Sequence, residues 1–363
     1  MVNKSTISFW KGKSVLLTGH TGFKGSWLSL WLNSLGANLI GYSLPPPTKP
    51  SLFEIANVKD RMISIEANIL DFEKLKEIIK KYKPEIVIHM AAQSLVHSSY
   101  TSPRETYETN VMGTVNVFEV IRQLGGVKVI LNVTSDKCYE NKEQEKGYKE
   151  EEAMGGYDPY SSSKGCAELV TSAYRNSFFN PQDFSKHGIA LASARAGNVI
   201  GGGDWAAHRL IPDIVRTIFN PVPLKIRNPS AIRPWQHVLE PLSSYMLLIE
   251  KLWEEGPKYA EAWNFGPNGS DIRSVSWIVE NFIKLWGEEI KFEIDSKAKP
   301  HETQCLKLDC SKAKKKLGWQ PQMNIETALK KTANWYKELK DKKDMNKFTL
   351  SQIKEYSGSF LKV

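Results

Sequence analysis

Tyr160 and Lys164 stand four residues apart in the run Asp158-Pro-Tyr-Ser-Ser-Ser-Lys-Gly165. On a helix, side chains at that spacing share one face. An ammonium beside a phenol favours the phenolate, so the tyrosine can act as a base near neutral pH. A second cluster, Thr134-Ser135-Asp136-Lys137, lies upstream and offers a hydroxyl, a carboxyl and an amine in sequence. A third run, Gly19-His-Thr-Gly22-Phe-Lys-Gly25, has the glycines of a tight turn that lets backbone approach a pyrophosphate. Its spacing is G-x-x-G-x-x-G rather than G-x-G-x-x-G.

These clusters need a scaffold that brings them to one edge. Apolar runs at Ser14 to Thr18, Asn38 to Tyr42, Met62 to Ile65, Ile86 to Met90, Val127 to Val133 and Ile189 to Ala194 read as six strands. Helical patterns lie between them: one carrying Trp27 to Leu35, then Phe72 to Tyr82, Thr106 to Leu124, and Tyr160 to Phe178. Alternating strand and helix implies an α/β fold of Rossmann type, a doubly wound parallel sheet with helices on both faces. The glycine turn then falls between the first strand and the first helix. The Ser135 cluster falls at the carboxyl end of the fifth strand, the edge where such sheets bind ligands.

After Gly201 the pattern becomes irregular, with helices at Asp213 to Phe219, Leu239 to Trp253, Val275 to Trp286 and Ile325 to Leu339. Short strands read near Leu224 to Arg227, Trp263 to Phe265 and Ile290 to Ile294. The expected division is a dinucleotide-binding domain over 1–200, a smaller C-terminal substrate lobe over 201–345, partly threaded back onto the sheet, and a tail over 346–363.

Composition excludes several other classes. No apolar run reaches the eighteen residues of a membrane span, and Met1 to Lys13 has no signal-peptide core, so a cytoplasmic location is expected. The formal charge is +9, with much of the excess near Lys312 to Lys316 and Lys337 to Lys347. Without a basic stripe interleaved with aromatics, this reads as a solvated face and not a nucleic-acid surface. Cys138, Cys166, Cys305 and Cys310 are sparse, and His301, Cys305 and Cys310 match no zinc module, so no disulfide framework and no metal are expected. The second strand ends in Gly41-Tyr-Ser-Leu-Pro-Pro-Pro47, without the acid that usually holds the ribose hydroxyls and without an arginine for a 2′-phosphate. NAD rather than NADP is the expected cofactor, held loosely.

The motifs resemble the extended short-chain dehydrogenase/reductase family, and within it the branch that removes water from CDP-glucose. The resemblance covers nearly the whole chain. Besides the runs above it rests on His89-Met-Ala-Ala-Gln93, Thr109-Asn110, Ala194-Arg-Ala-Gly-Asn-Val-Ile-Gly-Gly-Gly-Asp-Trp205, Arg209-Leu-Ile-Pro-Asp213, Arg233-Pro-Trp-Gln-His237, Leu308-Asp-Cys-Ser-Lys-Ala313 and Leu317-Gly-Trp-Gln-Pro321. It implies that Tyr160, helped by Ser135 and Lys164, takes a proton from O4 of a nucleotide-linked sugar while C4 is oxidised. A base then removes the C5 proton and an acid protonates the departing C6 hydroxyl. Related dTDP-glucose dehydratases carry Asp-Glu where this chain has Asp136-Lys137, so the resemblance assigns Asp136 as the acid and Lys137 as the base. The alternative is that Lys137 only orients substrate and water is the base.

The same resemblance implies cofactor contacts from Gly19, Thr21, Gly22, Phe23, Lys24, Gly25, Ser43, Asn68, Ile69, Ala91, Ala92, Gln93, Thr109 and Asn110, with Tyr160 and Lys164. Asn110 would orient Tyr160 or a relay water. Substrate contacts are implied for Asn198, Arg209, Arg233, Asn264 and His301, whereas Trp205 and Trp235 read as packing residues. The expected assembly is a homodimer or tetramer, with a dimer formed through the helices Thr106 to Leu124 and Tyr160 to Phe178. The pathway implied is that of a deoxysugar of surface polysaccharide such as O-antigen. A dTDP- or UDP-sugar dehydratase and a 4-epimerase are the competing enzymes. Epimerisation needs no second acid/base pair, and Asp136-Lys137 argues against it. A non-catalytic dinucleotide sensor is the competing reading of another class, opposed by the intact Ser135, Tyr160 and Lys164 set. Tyr160→Phe is predicted to lower turnover at least about 100-fold, the scale of a lost general base, with the fold retained. Near-wild-type turnover would remove Tyr160 from that role.

Overall fold

The structure is a computed structural model that describes residues 8–220, 223–288, 290, 292–294 and 305–358. Its centre is a seven-stranded parallel sheet. The first six strands in chain order are β1 (Ser14–Thr18), β2 (Asn38–Ser43), β3 (Ile63–Glu66), β4 (Ile86–His89), β5 (Val129–Val133) and β6 (Ala190–Ala196). In space they run β3-β2-β1-β4-β5-β6, and Ala262–Phe265 adds an edge strand beside β6. The chain winds outward from β1 in one direction and from β4 in the other. The strand order therefore reverses between them, and a cleft opens at their carboxyl ends.

The central strands are apolar without alternation because both faces are covered. Val15, Leu17, Ile86, Ile88, Val129 and Leu131 face one layer, which holds the helices Phe23–Ser34 and Leu239–Tyr259. Leu16, Val87, Ile130 and Leu191 face the other, with Leu75, Ile78, Val117 and Phe118 from the helices Phe72–Tyr82 and Gly113–Leu124. The first helix is apolar nearly all round, with Trp27, Leu28, Leu30, Trp31 and Leu32 buried, so it needs cover on several sides.

That need accounts for the largest departure from the sequence reading. The described part of the stretch read as a tail, 346–358, is not one. It forms a helix, Met345–Gly358, that closes over the first one. Tyr356 meets the Trp31 ring edge-on at 5.7 Å, and Trp335 Nε1 donates to Thr349 Oγ1 at 2.9 Å. Likewise the strand read near Trp263 belongs to the large sheet: Trp263 and Phe265 are fully buried, and Ala262–Phe265 pairs with β6 in parallel. The helix read as Thr106 to Leu124 is interrupted. It runs as Pro103–Tyr107, a π-helical turn Glu108–Met112, and Gly113–Leu124.

The chain after β6 contains the helices Leu210–Phe219, Val275–Trp286 and Ile325–Lys340, with three short strand pairs. It meets the first helix at Gly202. The Gly202 carbonyl accepts from Trp27 Nε1 at 2.9 Å, and a Cβ on Gly202 would stand 1.9 Å from the Trp335 ring. Gly202→Ala must therefore push apart the first helix and the Ile325–Lys340 helix. It is predicted to cost about 1–3 kcal/mol, the usual range for overpacking, read as a lower denaturant midpoint with an unchanged slope. A wild-type midpoint would show the joint to be loose.

Candidate active site

The glycine turn is built for close approach. Gly19 has φ +76°, and a Cβ there would lie 2.8 Å from the Ala91 amide nitrogen. A Cβ on Gly25 would lie 2.2 Å from the Gly19 carbonyl oxygen, so the first helix can begin against the turn only with glycine. A Cβ on Gly22 would meet only the Gly19 carbonyl oxygen, at 3.4 Å, so Gly22 presents bare backbone to the cleft. No side chain caps the helix and no acid lies in its first turn, which leaves its amino end to an anion. A dinucleotide pyrophosphate fits this cradle.

The ribose side is different. Thr21 Oγ1 donates to the Leu44 carbonyl at 2.9 Å and stands 2.8 Å from Ser43 Oγ, so hydroxyls occupy the end of β2 where a carboxylate is usual. The His20 ring lies over Gly41, where a Cβ would be 2.5 Å from it. Burial lowers His20 to about 4, so it is a neutral wedge whose Nε2 pairs with Ser64 Oγ at 2.8 Å.

Opposite the turn, β5 delivers the acid/base cluster. Ser135 caps the single 3-10 turn Asp136–Cys138: its Oγ accepts from the Lys137 amide at 3.2 Å and donates to Asp136 Oδ1 at 3.0 Å. Tyr160 and Lys164 sit at the start of the helix Pro159–Ser177. Asp158 caps that helix through the Ser161 amide at 2.9 Å, and Pro159 occupies its first position. Burial pushes Tyr160 up to about 12, while a hydrogen bond with Ser135 works in the opposite direction. Burial lowers Lys164 to about 8, with Glu168 pulling it back up. Asp136 is raised, first by burial and against the pull of Lys137, and its Oδ2 has no partner. A carboxyl in that setting can hold a proton and give it away.

These groups line one cleft of about 1520 Å³. That exceeds the 300–1,000 Å³ typical of one small-molecule site and leaves room for two ligands side by side. Every residue assigned from the sequence to catalysis lines it, as do all the assigned cofactor residues except Asn110. Lys24 lines it too, but its ammonium turns to Tyr245 and donates to the phenol oxygen at 2.8 Å. Burial, then Lys164 and Arg209, lower Lys24 to about 7. Among the assigned substrate residues, Asn198, Arg209 and Arg233 face the cleft. Arg209 bridges its walls, with Nη1 on Asp204 Oδ2 and Nη2 on Ser94 Oγ, both at 3.0 Å. His301 lies outside the described residues.

Two of the assigned residues do not line the cleft. Asn110 does not face the cleft. Its Oδ1 accepts from the Gln93 amide at 2.8 Å, and its Nδ2 donates to the Gln93 carbonyl and to Ser163 Oγ. The π turn aims it there, and it ties the loop after β4 to the Tyr160 helix. Asn264 is fully buried away from the cleft. It accepts from the Tyr139 hydroxyl at 2.8 Å and donates to the carbonyls of Tyr148 and Asp309, fastening the edge strand to two loops. The sequence reading missed Glu168 and Arg195, which support the cluster from behind, and Thr18, which holds the loop after β4. Glu168 had a signal, because it continues the Tyr160, Lys164 face by four more residues.

Glycine turn, parallel sheet and Tyr160–Lys164 helix together define an extended short-chain dehydrogenase/reductase. The family model described as GDP-mannose 4,6 dehydratase matches residues 16–332. The chain belongs to that family. It is 54% identical to the CDP-glucose 4,6-dehydratase of Salmonella typhimurium, over 99% of each chain. It is 25% identical to a dTDP-glucose 4,6-dehydratase of Haemophilus influenzae, over 89% of this chain and 97% of that one. Among solved structures, an epimerase of Methanothermobacter thermautotrophicus superposes with a TM-score of 0.78 at 22% identity, covering 94% of this chain and 97% of that one. A dTDP-glucose 4,6-dehydratase of Bacillus anthracis, in complex with NAD, gives a TM-score of 0.73 at 22% identity, covering 91% and 98%.

The Asn264 geometry separates structure from binding. Asn264→Ala leaves buried carbonyls and the Tyr139 hydroxyl short of a partner. It is predicted to destabilise the fold by about 1–3 kcal/mol while KM for the substrate stays within about twofold. A large rise in KM with unchanged stability would return Asn264 to the binding site.

Proposed function

We propose that the chain is an NAD-dependent CDP-glucose 4,6-dehydratase, converting CDP-glucose to CDP-4-dehydro-6-deoxyglucose and water. The observation that carries the reading is the second acid/base pair: Asp136 and Lys137 step directly off Ser135, in the cleft shared with Tyr160 and Lys164. A hydride-only enzyme needs no such pair. CDP as the nucleotide is supported by the 54% identity to the Salmonella enzyme.

The cradle from Gly19 to Gly25, with Ser43, Asn68, Ile69, Ala91, Ala92, Gln93 and Thr109 along the same wall, would hold NAD. Bound NAD supplies a hydride acceptor for C4 and the hydride that C6 receives. Tyr160 removes the O4 proton, with Ser135 as its hydrogen-bond partner and Lys164 favouring the phenolate. Once C4 is a ketone, the C5 proton is acidic and Lys137 takes it as base, returning it to C5 when C6 receives hydride. Asp136 gives its proton to the C6 hydroxyl, which departs as water. Asn198, Arg209 and Arg233 bring amide and cationic groups for the diphosphate and nucleotide. His301 is assigned to the same task from the sequence alone.

The assembly proposed is a dimer through two helices. Met112 and Tyr107 are 49% and 37% exposed on one helical run, and Leu169 and Phe178 are 60% and 47% exposed on and just after the other. Such apolar side chains gain by facing a second copy. None of the helices among the described residues is long and apolar enough to cross a membrane. Work in the cytoplasm, upstream of a deoxysugar for surface polysaccharide, is part of the same proposal.

Incubation with CDP-glucose and NAD should yield a 4-keto sugar that absorbs in alkali. A hexose epimer or unchanged substrate would sink the dehydratase reading. Lys137→Ala should keep C4 oxidation and lose elimination. In a single turnover NADH absorbance should rise and persist, while exchange of the C5 proton with solvent deuterium falls at least about 100-fold. Wild-type exchange in Lys137→Ala would assign the C5 proton to another base.

A further inference from the structure

Behind the catalytic cluster lies a buried ion pair that the reaction steps leave unused. Glu168 stands one turn beyond Lys164 on the same helix, and its side chain and that of Arg195 are each only 4% exposed. Glu168 Oε1 accepts from Thr134 Oγ1 at 2.5 Å. Its Oε2 accepts from Ser193 Oγ at 2.8 Å and from Arg195 Nη2 at 2.7 Å. Arg195 Nη1 donates in turn to the Tyr139 hydroxyl at 2.6 Å and to the Glu150 carbonyl at 3.1 Å. One carboxylate thus joins the catalytic helix, the end of β5, the middle of β6 and, through Arg195, the turn that follows Ser135.

Burial alone would protonate Glu168. Arg195 and the hydroxyls of Thr134 and Ser193 outweigh it and hold the group below the ordinary carboxylate range, so it stays an anion. Thr134 immediately precedes Ser135, so the short bond to Glu168 fixes the peptide that aims the Ser135 hydroxyl. Lys164 is faced by Glu168 on its own helix, Cys138 from the turn after β5, Lys24 from the first helix and His89 from the end of β4. Glu168 is the one ionised acid in that set. His89 is held neutral at about 3 by burial and by Lys164, and Cys138 is raised well above its ordinary value by burial.

We propose that Glu168 is a positioning residue for proton transfer at Tyr160: through Thr134 it fixes the strand end that carries Ser135, and one turn along the same helix it sets a carboxylate on the face that carries Lys164. The proposal deepens the dehydratase reading and rests on it for the identity of the reaction. Its core, however, is a property of Lys164 that can be read without substrate.

Glu168→Gln alone would leave Arg195 a lone buried charge, so the test uses Glu168→Gln with Arg195→Gln. Thr134→Val is a companion that keeps the ion pair. The Lys164 ε-carbon is followed by NMR against pH in isotope-labelled protein and assigned by its loss in Lys164→Met. In the double variant Lys164 should titrate about one unit lower than in wild type. The alkaline limb of single-turnover C4 oxidation should move down with it, while KM stays within about twofold. Thr134→Val should leave that limb in place and lower kcat by about 3- to 10-fold through misplacement of Ser135. An unmoved Lys164 titration in the folded double variant, or an undiminished kcat in Thr134→Val, overturns the proposal. A wild-type protein that makes no 4-keto sugar overturns the dehydratase reading instead, and the Lys164 titration still decides this one.

Discussion

The hydroxyl of Thr18 holds the switch point of the sheet together. It lies at the carboxyl end of β1, accepts from the amides of Met90 and Ala91 at 3.1 Å each, and is 2.8 Å from His89 Nδ1. A hydroxyl that accepts twice has one proton left to give, so it donates to Nδ1. His89 therefore carries its proton on Nε2 and gives it to Thr114 Oγ1, which donates to the Asn110 carbonyl. The loop after β4 is pinned at its start by Thr18 and at Gln93 by Asn110. Asn110 also holds Ser163, between Tyr160 and Lys164. A single polar chain thus runs from the strand under the glycine turn to the catalytic helix. Its members are buried, where a lost partner costs more than the bond was worth. Cofactor wall and base are therefore set relative to one another by the scaffold.

Electrostatics around Tyr160 follow from burial. Lys164 is buried, Lys24 is half-buried, and the charge of Lys164 lowers the tendency of Lys24 to be charged. Asp136 holds a proton more readily than an exposed carboxyl, and Tyr160 gives its proton up less readily than a free phenol. Each of these groups is shifted by burial first, so each is poised by exclusion from water rather than by one strong partner. Burial brings Lys24 and Lys164 down towards neutrality, moves Tyr160 away from it, and leaves one Asp136 oxygen unsatisfied.

Legibility in the sequence followed the range of the interaction. The strands and the helices Phe72–Tyr82 and Val275–Trp286 are written in local periodicity, and the glycine turn and the Tyr160–Lys164 pair in fixed short spacings. Contacts made across the chain were not legible. Asn264 looks like any polar residue near a strand until Tyr139, Tyr148 and Asp309 close around it. The last residues look like a charged tail because their apolar members, such as Ile353 and Tyr356, matter only against Trp31 and Ser243 from elsewhere in the chain. Asn110 sits in a helical pattern whose π turn answers a demand from Gln93, and no periodicity encodes that. Arg195 lies in an otherwise uncharged buried strand, and such a charge signals a partner without naming it.

The arrangement also explains how one scaffold can add elimination to oxidation with a small change. Hydride transfer at C4 needs a base beside the sugar hydroxyl and a cradle for the dinucleotide, and both are fixed by long helices. Elimination needs two further groups within reach of neighbouring carbons. In the reaction proposed they would come from adjacent residues of one 3-10 turn, Asp136–Cys138, capped by the same Ser135 that pairs with Tyr160. Adjacent residues on a tight turn diverge in direction. Asp136 goes into the protein, where its Oδ2 would lie 3.0 Å from a Cβ on Gly197, while Lys137 stays partly open to the cleft. A buried acid favours its protonated form, whereas Lys137 keeps its amine on the side the cleft can reach. The turn therefore separates the two roles by burial alone, without moving the oxidation machinery next to it.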